Sequence, residues 1–240
     1  MEHGLNRGAG SGEYGGKRIL EAMRGARRYA HEIFRTMTGA IPPGAQRVLD
    51  FGAGDGVFLE QFASAGVSID CVEPDRGFAA GLLPLAGRVV GDAAELPPDT
   101  YDFAFAVNVL EHVDDPRGEA AKVLRALRPG GVFFVFTPAF RVLWTSLDAE
   151  VGHLRRYTRR SLSEDLTAAG FSVERSAYFD ALGFPAALAV RLLEGVGLFR
   201  YSPGTIGFYD RAIFPVSRGL DAAFSRLLGK SVIAVARKAG

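Results

Sequence analysis

Residues 48–56, VLDFGAGDG, join an apolar run to the acidic Asp50 and to glycines at 52, 54 and 56. Glycine lets a backbone turn sharply and approach a ligand closely, and α/β folds bind nucleotides at the carboxyl ends of their strands. The G-x-G-x-G spacing therefore reads as a nucleotide-cradling turn between a strand and a helix. A dinucleotide fingerprint wants G-x-G-x-x-G, whose third glycine falls at Val57, so a nicotinamide cofactor and NAD(P)-dependent reduction are disfavoured. The literal match at Gly10, Gly12 and Gly15 follows no strand and is chance in a glycine-rich tail.

Three more acidic or polar positions recur at the ends of apolar runs. Glu73 closes SIDCVE ahead of Pro74, where a carboxylate can accept both hydrogens of a ribose diol. Asp92 closes RVVGD and can accept from an adenine amino group. Asn108, Glu111 and His112, in FAVNVLEHV (105–113), fall just after a fourth apolar run at the same rim. Four strand ends thus converge on one crevice.

The elements that must hold these residues alternate. Short apolar runs at 47–52, 68–73, 88–92, 101–109 and 131–137 are interleaved with helical patterns at 56–65, 76–83 and 115–127. Such alternation predicts a three-layer α/β fold with a mostly parallel sheet covered by helices on both faces. Thr158 is expected to cap a helix running to Ala169, stopped by Gly170, before two late strands at 171–179 and 230–238. The stretch 180–229 between those strands is helical in pattern, aromatic-rich and far longer than a hairpin needs, so it is expected to be an insertion or lid. Upstream, residues 1–16 read as a flexible tail and 17–40 as a basic, amphipathic helical cap interrupted near Gly25. Tyr29 on this cap can close over a cofactor.

The segments VLDFGAGDG, VEPD, GDAAELP, NVLEHV and LRPGG, in this order, resemble the class I S-adenosylmethionine-dependent methyltransferases over roughly residues 30–175. The resemblance implies a Rossmann-like, seven-stranded sheet whose last hairpin introduces one antiparallel strand. It implies S-adenosyl-L-methionine as cofactor, with Gly52, Gly54 and Gly56 along its methionine and ribose portions and Asp50 supporting that loop. Glu73 would hold the ribose hydroxyls, Asp92 and the Ala93 backbone the adenine, and Asn108 and Val109 would flank the sulfonium end. The stretch 137–158 resembles a bacterial branch with a GH-x-RRY-like segment, whose members often accompany sugar, lipid or natural-product biosynthesis; this favours a small-molecule acceptor.

Methyl transfer is an in-line displacement, and a hydroxyl nucleophile must also lose a proton. His153, in GHLRRY, is the expected base because imidazole accepts protons near neutral pH, with Asp148 to orient it; both can equally fix a loop. His112 is expected beside the cofactor. Phe140, Trp144 and Tyr157 can form an aromatic wall for an apolar acceptor, and Arg156 in the cluster of Arg155, Arg156, Arg159 and Arg160 can bind an anionic one. O-methylation is the favoured reaction. The alternative on the same fold is a cyclase or rearrangement enzyme that binds the cofactor without consuming it.

The chain has 240 residues, 48% hydrophobic, enough for a single well-packed domain over 17–240. Its 28 Lys and Arg against 27 Asp and Glu leave a net charge of +1, which gives no general field for nucleic acid. The lone Cys71 and the absence of paired Cys/His spacing predict no disulfide and no metal site. No signal peptide or continuous transmembrane run is read. The expectation is a cytoplasmic monomer or homodimer.

Overall fold

The computed structural model describes residues 24–64, 67, 69–199 and 202–240. The expected tail at 1–16 and the start of the helical cap lie outside them. Seven strands form one sheet: β1 (Val48–Phe51), β2 (Ile69–Val72), β3 (Arg88–Val90), β4 (Tyr101–Val107), β5 (Leu127–Pro138), β6 (Ser172–Phe179) and β7 (Ser231–Arg237). Their spatial order is β3-β2-β1-β4-β5-β7-β6, parallel except for β7, which pairs antiparallel with both β5 and β6. This is the Rossmann-like arrangement expected.

Side chains alternate across the pleat, so each central strand feeds two cores. On β4, Ala104 and Ala106 face one cluster with Phe133 and Val135 of β5. Phe103 and Phe105 face the other, with Phe134 and Phe136. Helices α1 (Arg27–Thr38) and α2 (Val57–Ser64) cover the phenylalanine face, and α3 (Arg76–Leu82) contributes Leu82 to it. On the alanine face lie α4 (Pro116–Ala126), which starts on the Asp115 cap with proline in its first turn, and α6 (Arg159–Ala168). Because both faces are buried, the central strands β1, β4 and β5 read as mostly apolar runs. β5 begins at Leu127 rather than near 131, because Leu127 pairs with Tyr101 and a register shift follows.

Thr158 caps α6 by accepting from Ser161 N, as its position predicted. Between β6 and β7 run α7 (Gly183–Gly195), α8 (Pro203–Phe208), a π-helical turn (Tyr209–Ile213) and α9 (Phe214–Phe224). Buried carboxylates tie this insertion to the core. Asp180, held at φ 67, accepts from Tyr209 Oη and Ser217 Oγ, and Asp221 accepts from Asp180 N and Ala181 N. Asp210 accepts from Arg28 N and Tyr29 N, capping the start of α1 from across the insertion. Among the described residues, no helix is long and apolar enough to cross a membrane.

Cys71 sits fully buried in β2, and burial, followed by the charges of Asp50, Glu73 and Asp70, pushes its thiol up to about 12. The thiolate is the reactive form, so native protein should resist iodoacetamide at mildly alkaline pH and react after unfolding in urea. Rapid stoichiometric labelling of the folded chain, read by mass spectrometry, would contradict this burial.

Candidate active site at the carboxyl ends of the strands

Between β1 and α2 the backbone passes through Gly52 at φ 85, Gly54 at φ 55 and Gly56 at φ 78, a region that side chains disfavour. A Cβ on Gly52 would lie 2.5 Å from Val109 Cγ2, so the turn and the end of β4 are in direct steric contact. A Cβ on Gly54 would meet nothing within 4 Å, leaving that peptide open to a ligand. Glu73 locks the turn from β2: its Oε2 accepts from Gly54 N at 2.7 Å and its Oε1 from Asp75 N at 2.8 Å. Each oxygen keeps a lone pair for a further donor. Burial raises the Glu73 carboxyl, and the two backbone donors oppose that rise. Asp50 is buried with Oδ2 unpartnered, and burial followed by the nearby Glu73 charge raises it well above the usual carboxylate range. Asn108 ends the rim at φ 55, exposed, with its backbone N–H on Phe136 O.

Other expected cofactor residues have prior partners. Asp92 caps the short turn Ala93–Glu95 through Ala94 N and pairs with Lys122 at 2.9 Å, so its carboxylate is already engaged, while Ala93 is buried. Tyr29 lies in the core against Phe136, Phe179 and Phe214, its hydroxyl on Ser231. Pro74 is exposed beside Glu73, and Val109 is buried under the glycine turn.

The residues expected on the acceptor side fall into groups the sequence did not suggest. Segment 139–158 folds back onto the end of β4: Leu154 N donates to Glu111 O at 2.8 Å and Arg155 Nη1 to Val113 O at 2.7 Å. Within it lies the short helix α5 (Ser146–Glu150), capped by Asp148 Oδ2 accepting from Thr145 N at 2.8 Å. The same buried carboxylate takes a two-pronged bond from Arg156, 2.7 Å to Nε and 2.9 Å to Nη2, and meets His153 Nδ1 at 2.7 Å. Burial would raise the Asp148 carboxyl, but the bonds from His153 and Arg156 and the guanidinium charge hold it well below the usual range. His153 Nε2 then faces Glu111 Oε1 at 3.8 Å. Glu111 is fully buried, its Oε2 accepting from Thr137 Oγ1 at 2.8 Å and its Oε1 without a hydrogen-bond partner. His112 packs edge-on to His153 at 4.7 Å between centroids, and burial, then His153, lowers its imidazole to about 4.

The aromatic residues do not form one wall. Trp144 stands edge-on to His153 at 6.4 Å, whereas Phe140 stacks on Tyr178 and meets Phe184. Tyr157 is buried, with its hydroxyl on Leu110 O. The arginine cluster is likewise dispersed: Arg156 is committed to Asp148, Arg155 to backbone carbonyls, Arg159 to Arg226 O and Arg160 to Glu164. Glu111 is the residue the sequence reading underused; its place in LEHV beside His112 was visible, but not its burial.

These residues suit an adenosyl cofactor: an open glycine turn, a diol-ready carboxylate at Glu73 and an orphaned buried oxygen at Asp50 lie together at the strand ends. Such a turn on this seven-stranded sheet, with its single antiparallel strand, defines the class I S-adenosylmethionine-dependent methyltransferases. A family model described as a methyltransferase domain matches residues 19–176. The chain belongs to that family, and S-adenosylmethionine is its cofactor. An uncharacterized methyltransferase of Mycobacterium leprae is 40% identical over 102 residues, 40% of this chain and 38% of that protein, so the match spans well under half of the relative. Two solved structures share the fold. One is the complex between the Haloferax volcanii Trm112 methyltransferase activator and a methyltransferase, with a TM-score of 0.65 and 14% identity over 95% of this chain and 96% of that one. The other is a SAM dependent methyltransferase from Archaeoglobus fulgidus, with a TM-score of 0.56 and 20% identity over 94% and 96%.

Glu73→Gln removes a charged acceptor and should weaken S-adenosylmethionine binding by about tenfold to a hundredfold in calorimetric titration. Unchanged affinity would take Glu73 out of the cofactor site. Asp148→Asn leaves the nearly buried Arg156 without its counter-charge and should lower unfolding stability by about 3–5 kcal/mol in urea titration. Wild-type stability would mean that the Arg156 pair contributes nothing net.

Proposed function

We propose that the enzyme transfers the methyl group of S-adenosylmethionine to an oxygen of a small, largely apolar acceptor in a biosynthetic step of sugar, lipid or natural-product type. His153 is the group that engages the acceptor. The observation that carries this reading is the His153–Asp148 dyad, braced by Arg156 and docked on the loop that follows Asn108 at the end of β4. When bound, S-adenosylmethionine supplies a sulfonium-activated, electrophilic methyl group. The chain's own residues align the acceptor, exclude water and accept its proton. Asp148, bonded to Nδ1, fixes the imidazole so that Nε2, which faces Glu111, is the nitrogen that can take a hydroxyl proton.

The apolar character of the acceptor is supported by the insertion. Glu194 of α7 accepts from Ser146 N and Oγ, and Arg191 reaches Val142 O, which ties this helix to the segment carrying Trp144 and His153. Beside those anchors, Leu192, Val196 and Leu198 are 65%, 67% and 75% exposed, an apolar edge available to an acceptor. The insertion over 180–229 acts in this reading as the acceptor-side lid, and the protein works in the cytoplasm as a monomer or homodimer.

The direct test supplies methyl-labelled S-adenosylmethionine with a metabolite extract and follows the label by mass spectrometry. The reading expects a labelled product and demethylated cofactor; product formed with the cofactor intact would favour the cyclase-type alternative instead. With the identified acceptor, His153→Ala should lower turnover by about 10²–10⁴ while cofactor affinity stays near wild type. An unchanged rate would reassign His153 to fixing its loop.

A further inference from the structure

We propose that Glu111, His112 and His153 form a site for one divalent transition-metal cation, of the Zn²⁺ type, at the acceptor side of the cofactor crevice. One ligand atom from each residue lies within 4.8 Å of the others. The set is two imidazoles and one carboxylate, which suits first-row transition metals better than Mg²⁺ or Ca²⁺. Three protein ligands also leave coordination positions for water or substrate, the pattern of catalytic rather than structural zinc.

The surroundings are those a metal site requires. Ligating histidines are oriented by a partner on their other nitrogen, and ligating carboxylates are themselves hydrogen-bonded. His153 has Nδ1 on Asp148 at 2.7 Å, which leaves Nε2 toward Glu111. His112 hydrogen-bonds the Gly152 backbone. Glu111 places Oε2 on Thr137 Oγ1, while its fully buried Oε1 has no hydrogen-bond partner. A buried carboxylate oxygen without a donor is costly, and a cation relieves that cost directly. Zinc holds such atoms at about 2.0–2.2 Å, so the three side chains close inward on binding. His153, with its side chain 14% exposed, gives the cation a route in.

The inference rests on the methyl-transfer reading only in naming the occupant of the open position, an oxygen of the acceptor. A cation there lowers the proton affinity of a bound hydroxyl, so that its proton passes to solvent water as the methyl group is transferred. His153 then serves as a ligand, and in the metal-free protein its Nε2 is the base described above.

The full chain, stripped with chelator, is titrated with Co²⁺ followed by visible absorption and with Zn²⁺ followed by calorimetry. Binding of one ion per chain is expected, with a raised Tm in Zn²⁺. His112→Gln and Glu111→Gln, the latter retaining an acceptor for Thr137, should each weaken binding by at least about tenfold. Far-UV circular dichroism in chelator shows whether each variant folds, and either folded variant decides the matter. No Zn²⁺ or Co²⁺ binding at millimolar concentration overturns the site, as does wild-type affinity in a folded variant. That failure leaves methyl transfer with His153 as base intact, whereas failure to bind S-adenosylmethionine defeats methyl transfer and leaves the metal result standing.

Discussion

A single buried carboxylate, Asp148, organises the segment that folds back onto the ends of β4 and β5. It caps α5, takes both prongs of Arg156 and holds His153 by Nδ1. Each bond satisfies a group that would otherwise be buried without a partner, so the charge is tolerable only because all of them form together. The segment around it is anchored by buried Ala139, Leu143 and Tyr157, by this hub, and by the backbone bonds of Leu154 to Glu111 and of Tyr157 to Pro138 at the end of β5. The orientation of His153 follows from its bond to Asp148 together with its ring contacts to His112 and Trp144.

The cofactor side rests on a different constraint, the close approach of backbone to backbone. Gly52 lies against Val109, and Gly54 is held by Glu73, so the turn after β1 is positioned by the ends of β2 and β4 together. The two sides meet at the loop after β4. Asn108 lies exposed there, beside the glycine turn's neighbour Val109, and Glu111 and His112 meet His153 of the GH-x-RRY segment a few residues later. A short stretch of chain therefore joins the glycine turn to the Asp148 hub; in the proposed reaction it would align cofactor and acceptor, as an in-line transfer requires.

The glycine turn and Glu73 were legible because their signals are local: glycine spacing, a preceding apolar run and an acidic residue at its end. Helix ends such as Thr158 were legible for the same reason. The arginine cluster misled, because sequence adjacency says nothing about partners; its four members point to a carboxylate, two sets of carbonyls and a glutamate. Phe140, Trp144 and Tyr157 separated likewise, since the 3₁₀ turn at Arg141–Leu143 and α5 turn them to different neighbours. Asp92, expected at adenine, pairs with Lys122 of α4, a partner that its place in the sequence did not reveal.

By itself, the sequence determined the alternation of strands and helices, the place of the two late strands and the glycine turn, since hydrophobic period and glycine conformation act over a few residues, while the antiparallel pairing was implied only by the family resemblance. Only the tertiary structure decided that Glu111, His112 and His153 meet. Their two segments are brought together by the parallel sheet, which sets the ends of β4 and β5 side by side, and by the buried Asp148 hub. Burial, which leaves a Glu111 oxygen without a partner and lowers His112, depends on the packing of distant residues and so has no local signature.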